Sequence, residues 1–264
     1  MADQHLFGTI DDGADHHPIN KIVPRDLFDA LHQGWLDFQE HPTHYMMLVI
    51  IYPIVGLVMA RMVAGQDLLP LLFPLVSGFA LVGPVVAVAL YELSRRKERG
   101  DSHTVRDALN VVHSPSFPAI LYLSGILAAT YFIWIATARG IYRGLFGTWT
   151  PESLSALMTQ VMTTNEGQLL IMVGCGVGFF FALFVLAIAA VSFPMLVDKP
   201  VGVIVAMQTS MRAFVANPFT LLMWGFLVAA LLLVGMVPAF MGLAVVMPVL
   251  GHATWHLYRK TVAH

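Results

Sequence analysis

Residues 168–194 read QLLIMVGCGVGFFFALFVLAIAAVSFP. No Asp, Glu, Lys, Arg or His interrupts them. A helix crosses the hydrocarbon core of a bilayer with about 20 mostly apolar residues. A helix that is apolar all round must bury every face, in protein or in lipid. This stretch therefore reads as a transmembrane helix, and the rest of the chain agrees with it. Of its 264 residues 58% are hydrophobic and 11% are charged, against about 25% charged in an average soluble domain. Mean hydropathy is +0.75. So few charges cannot cover a soluble protein of this size. A soluble enzyme, a disordered chain and a disulfide scaffold are excluded. The net charge of −2 carries no footprint for nucleic acid.

Working outward, five further runs have the required length and character: His44 to Ala64, Leu68 to Leu93, Phe117 to Ala138, Phe219 to Val237 and Met241 to Tyr258. With Gln168 to Pro194 they predict an all-α bundle of six transmembrane helices. The last two runs are short and share a turn at Pro238-Ala239-Phe240, which a re-entrant hairpin would also use. Residues 1–24 are polar and acidic and have no cationic start before an apolar core, so they read as a disordered cytoplasmic tail rather than a signal peptide. Residues 25–264 read as one membrane domain.

Basic residues in short loops set orientation. With the N-terminus in the cytoplasm, Lys21, Arg25, Arg95, Arg96, Lys97, Arg99, Arg106, Lys199, Arg212, Arg259 and Lys260 lie inside, and Arg61, Arg139 and Arg143 lie outside, a split of 11 to 3. The reading is a bacterial inner-membrane protein with both termini cytoplasmic. Arg95 to Arg99 abut the second span and serve topology first; anionic lipid headgroups would also meet them there.

Two amphipathic surface helices are expected. In residues 26–40, DLFDALHQGWLDFQE, Leu27, Leu31, Gly34 and Phe38 share a face, while Asp26, Asp29, Gln33, Asp37 and Glu40 fall elsewhere; Trp35 suits an interface, and His41-Pro42 stops the helix. In the outer loop from Gly140 to Gly167, Thr150-Pro151-Glu152 reads as a cap, a first-turn proline and a first-turn acid ahead of Leu154, Leu157, Met158, Val161 and Met162.

The chain also resembles itself. Ala30–Met47 lies over Ala206–Met223 without a gap, pairing Gly34 with Ser210, Phe38 with Phe214 and Pro42 with Pro218. Pro84 to Arg96, PVVAVALYELSRR, lies over Pro248 to Lys260, PVLGHATWHLYRK. A degenerate middle copy runs from Ala108 through Ser114-Pro115 to Phe193-Pro194. The implied unit is a surface helix plus a hairpin, used three times in parallel. Parallel repeats occur in transporters and also arise from duplication of a packing unit.

Chemistry-bearing residues are sparse. Gly174 and Gly178 form a small-xxx-small face for helix packing, with Cys175 a small packing residue between them. Pro84, Pro194, Pro238 and Pro248 kink or end spans. Ionisable residues within or beside spans are polar-site candidates: Glu92, Asp198, His252 and His256. Glu92 lies one turn from Arg95, His256 one turn from Arg259, and Asp198 is placed to pair with an arginine. The alternatives are an interfacial belt that pins helix ends and a proton or ion site. His252 and His256 share a helix face at a spacing that suits two metal ligands, but only His44 and His113 are available as partners. HExxH, CxxC, CxxCH and nucleophile motifs are missing. No cofactor, metal or catalytic residue is expected, and His252 is expected to be neutral and hydrogen-bonded to a neighbouring helix.

Four stretches are distinctive: residues 37–57, DFQEHPTHYMMLVIIYPIVGL; residues 68–96, LLPLLFPLVSGFALVGPVVAVALYELSRR; residues 192–201, SFPMLVDKPV; and residues 246–260, VMPVLGHATWHLYRK. Together they resemble a family of predicted bacterial integral membrane proteins defined as a domain of unknown function, over roughly Lys21 to Val262. The resemblance implies a proteobacterial inner-membrane protein and supplies no catalytic residue. Some members are labelled cytochrome c oxidase subunit I-like, a class that needs more spans and more intramembrane histidines than His252 and His256 supply. The expected role is a non-catalytic accessory, assembly or scaffold protein, a respiratory complex among its candidate partners, with the lipid bilayer and a membrane-protein partner or a second copy as its contacts; the alternative is a small-solute or ion transporter built on parallel repeats.

Overall fold

The computed structural model describes residues 17–40, 56–57, 60–61, 69–101, 104–237 and 241–263. The expected first span, His44 to Ala64, lies largely outside the described residues, as do most of the N-terminal tail and the turn at Pro238-Ala239-Phe240. Ten α-helices of seven residues or more build the rest. They are α1 Pro24–Glu40, α2 Leu72–Leu81, α3 Gly83–Arg99, α4 Phe117–Phe146, α5 Leu154–Thr163, α6 Asn165–Ala189, α7 Ser192–Asp198, α8 Val203–Ala216, α9 Pro218–Met236 and α10 Leu243–Thr261. Short helical turns over Val105–Ala108 and Leu109–His113 link α3 to α4. The described fold is all-α.

Among the described residues four stretches are long and apolar enough to cross a membrane: Leu69–Arg99, Phe117–Phe146, Asn165–Asp198 and Pro218–Met236. They coincide with the second to fifth expected spans. The sixth differs. α10 has 19 residues, but its C-terminal half carries His252, His256, Arg259 and Lys260, which removes it from that set.

Two of the four stretches are broken, and proline marks each break. Val82 interrupts α2 and α3, with Pro84 in the first turn of α3, where its missing N–H costs nothing. Ala190 and Val191 interrupt α6 and α7, with Pro194 in the first turn of α7. The Ser210 hydroxyl accepts from the Val191 N–H, and the Ser192 hydroxyl donates to the Ala206 carbonyl, so backbone and hydroxyl groups at this break find partners in α8. Pro248, by contrast, lies inside α10.

The cap of α5 is Ser153, whose hydroxyl accepts from Ala156 N–H at 3.1 Å. This corrects the expected cap at Thr150: the helix starts at Leu154, so Ser153 is the residue whose side chain can reach the first free N–H groups. α4 runs on through Phe146 and α6 starts at Asn165, so the expected outer loop is mostly helix.

Packing is uneven along the bundle. Large apolar side chains such as Phe132, Phe180 and Phe226 are exposed on the span surfaces, as lipid-facing residues are. At the opposite, polar end of the bundle, Phe193, Met195, Leu196, Trp255 and Tyr258 are buried in a core of soluble-protein character. Where lipid is as apolar as the side chains, helices associate through close fit and hydrogen bonds. Trp134 of α4 illustrates both. Its indole N–H donates to the Pro74 carbonyl at 2.9 Å, and its ring lies 2.8 Å from the Cβ position of Gly78 and 3.0 Å from that of Gly178. Gly178 therefore admits the tryptophan. Gly174, expected to share this packing face, has nothing within 4 Å of its Cβ position, and Cys175 is exposed.

Residues 18–20 meet residues 261–263. Ile19 and Val262 form an antiparallel bridge, Asn20 N–H donates to the Thr261 carbonyl, and Ala263 N–H to that of Pro18. Asn217, at the start of α9, accepts from Ile22 N–H and donates to the Asn20 carbonyl.

Candidate functional site

α1 lies along α10, and a glycine sets their separation. A Cβ on Gly34 would stand 2.6 Å from the Val249 carbonyl oxygen and 2.7 Å from Ala253 N. Neither is a side-chain atom that could swing away. The buried face of α1 is Leu27, Ala30, Gly34, Asp37 and Phe38. Asp37 is thus on the packed face, which corrects its expected place off the face of Leu27, Leu31, Gly34 and Phe38. Three residues beyond Gly34 is about 60° around the helix, well inside an apolar stripe at least 100° wide. Its charge, not its angle, set it apart from that face.

Asp37 is only 4% exposed, and two other helices converge on it. From α3, Lys97 Nζ donates to Oδ1 at 2.7 Å. Ser94 Oγ approaches Oδ2 at 3.4 Å. From α10, His256 Nε2 lies 2.8 Å from Oδ2. His252, fully buried, has Nδ1 2.6 Å from Ser94 Oγ and 3.8 Å from Asp37 Oδ2. Burial alone would push the Asp37 carboxyl up. Hydrogen bonds from His256 and Lys97, with the coulombic pull of His252 and His256, outweigh it and hold the group at about 2. Glu40, at the exposed end of α1, also grips Lys97 at 2.6 Å.

The Ser94, His252 and Asp37 set is not arranged as a nucleophile triad. In such a triad the hydroxyl and the carboxylate hold opposite ring nitrogens. Here both approach Nδ1, and Ser94 is itself buried. Among the described residues no three His, Cys, Asp or Glu side chains are grouped as a metal would require. His113 is exposed, on the turn before α4.

Glu92 and Asp198 sit apart from this cluster. Glu92, 1% exposed, is bound within its own helix by Arg95 at 2.7 Å and Arg96 at 2.8 Å, and Arg96 also faces Asp107 at 3.7 Å. Asp198, at the end of α7, accepts from Tyr258 Oη at 2.9 Å and faces Arg259 at 3.5 Å and Arg99 at 3.6 Å. Glu98 accepts from the Trp255 indole at 3.1 Å and binds Arg259 at 2.7 Å. Lys260 ties the end of α10 to Asp26 and Asp29 of α1. Of the four residues singled out in sequence, His252 and His256 come together around Asp37. Asp198 shares Arg259 with Glu98, and Glu92 remains local to α3. Asp37, Ser94 and Lys97 carried no sequence signal beyond a charge or a hydroxyl on a helix.

The broken spans and the buried polar belt at one end form a multi-pass helical architecture, and comparison with known families agrees. Residues 72–198 match the family DUF2189. The family is described as a predicted integral membrane protein. The DUF2189 match begins with α2 and ends with Asp198 at the end of α7. Ser94, Lys97, Glu92 and Asp198 lie inside it, while Asp37, His252 and His256 lie outside. The clamp thus joins the DUF2189 segment to the flanking helices α1 and α10. No curated protein matches the chain, and no solved structure does.

Proposed function

We propose that this integral membrane protein is non-catalytic and serves as an accessory, assembly or scaffold subunit in the bacterial inner membrane, with both termini in the cytoplasm. The observation that carries the reading is that the buried polar groups are spent on holding helices together. Asp37 is met by Lys97, Ser94 and His256 from two helices, and it is closed to solvent. The hydroxyl nearest a histidine is buried and misplaced for attack. What the protein offers outward is apolar helix surface, suited to lipid and to a membrane-protein partner or a second copy. Six spans and a threefold parallel repeat belong to the same proposal; the aromatic-x-Leu-x-basic endings at Tyr91 and Trp255 support the repeat.

One observation favours the alternative, a small-solute or ion transporter. A cavity of about 530 Å³ lies beside the Val82 break, between α2, α3, α6, α9 and α10. Ser77, Tyr91 and Thr254 are among the few polar side chains lining it, so it suits an apolar occupant better than an ion.

Purification in mild detergent from native membranes separates the two readings. Stoichiometric co-purifying membrane subunits are expected. A lone protein that raises solute or proton flux in proteoliposomes would replace the scaffold reading with the transporter.

A further inference from the structure

We propose that the cavity between the ends of α3, α7 and α10 is a binding site for a phosphate group. The cavity is about 480 Å³, ample for a phosphate and its water. Arg95, Arg99, Lys199 and Arg259 line it, against two carboxylates, Glu98 and Asp198, with Trp255 also in the wall. Glu92, just outside the wall, already holds Arg95, so the four cations face three carboxylates and one positive charge stays in excess.

The existing pairings leave donors to spare. Arg95 is held by Glu92 through one terminal nitrogen, and among the described residues its buried Nε has no hydrogen-bond partner. Arg99 reaches Asp198 only at 3.6 Å, beyond the 2.7–2.9 Å range of a strong charge-assisted hydrogen bond; Arg259 gives Nε and Nη2 to Glu98 at 2.9 and 2.7 Å and keeps Nη1, 3.5 Å from Asp198, for a further acceptor. Lys199 forms no salt bridge among the described residues; its ammonium meets the His17 ring at 3.2 Å. A guanidinium is a planar fork that matches two phosphate oxygens at once. Cations in the last turns of α3 and α10 also answer the helix dipoles, but that role needs no shared cavity.

The shared chemistry is a tetrahedral phosphate anion, and it has two sources. The cavity sits at the polar end of a membrane bundle, where lipid phosphodiesters lie, and it also admits a free phosphate. The purified full chain is compared by native mass spectrometry and by thermal unfolding in detergent. Phosphatidylglycerol is tested against phosphatidylcholine, and inorganic phosphate against chloride at equal ionic strength. The Arg99→Gln/Lys199→Gln variant removes two cavity cations. The Arg25→Gln/Arg212→Gln variant removes two exposed cations elsewhere and controls for net charge.

We expect phosphatidylglycerol adducts and a melting-temperature rise of a few degrees in the wild type and the control, and a several-fold loss of both in the cavity variant. If only the lipid acts, the source is a headgroup; if inorganic phosphate reproduces the rise, and loses it in the cavity variant, the source is free phosphate. Should the double variant fail to fold, Lys199→Gln alone is read in the same way. Absence of any selective stabilisation, or equal loss in the cavity and control variants, overturns the proposal.

Discussion

His256 Nε2 and Asp37 Oδ2 stand 2.8 Å apart although 219 positions separate them in the chain. The contact holds the first described helix against the last one. With Lys97 on the same carboxylate, it draws three helices to one buried point.

Asp37→Ala should therefore destabilise the protein strongly. It strips a buried partner from Lys97 and His256, and removing one member of a buried ion pair costs about 3–5 kcal/mol. Glu40→Ala, which removes only the exposed partner of Lys97, should cost about 1 kcal/mol or less. Survival of the monodisperse peak after heating in detergent measures both. Equal losses would show that Asp37 is not the clamp's centre.

Gly34 and Gly174 should respond in opposite ways to alanine. A methyl at Gly34 meets backbone atoms of α10 at 2.6 and 2.7 Å, so α1 must move away; overpacking of this kind costs about 1–3 kcal/mol. At Gly174 the space is open, and alanine gains up to about 1 kcal/mol of helix propensity. Thermal survival and protease sensitivity of α1 read the difference. A stable Gly34→Ala protein with protected α1 would contradict the close crossing.

The Asp37 carboxyl, held at about 2, sets an acid limb. A carboxyl with a depressed folded value contributes stability fully above its ordinary value near 3.8 and loses it as pH falls through the folded value. The advantage of wild type over Asp37→Asn should thus be constant from neutral pH down to about 4 and shrink between about 4 and 2. A difference that stays constant over that acid range would place the carboxylate outside the network.

A fluorescent protein that matures only in the cytoplasm, fused after His264, should be bright, because 11 of the 14 basic residues then lie inside. A dark fusion paired with an active periplasmic reporter at the same position would invert the topology.

Some of this architecture could be read directly from the chain. Long uncharged runs such as 168–194 identify spans without knowledge of neighbours, because the cost of placing a charge in hydrocarbon acts on each residue alone. Histidines in an apolar helix mark a polar site for the same reason. Gly178 was legible as a packing glycine, but nothing in the letters distinguished it from Gly174. The difference is the Trp134 ring, which belongs to another helix.

The partners of the polar site were decided only in three dimensions. Asp37 looks set apart from the packed face in a helix that carries other acids, and a helical wheel ranks it by charge. Only the crossing at Gly34 turns that position toward α10, and only the bundle brings Lys97 and Ser94 to meet it. Membrane insertion is a sum over single residues and so is written along the sequence. A hydrogen bond between Asp37 and His256 depends on the relative placement of two helices, which the packing of all the others sets.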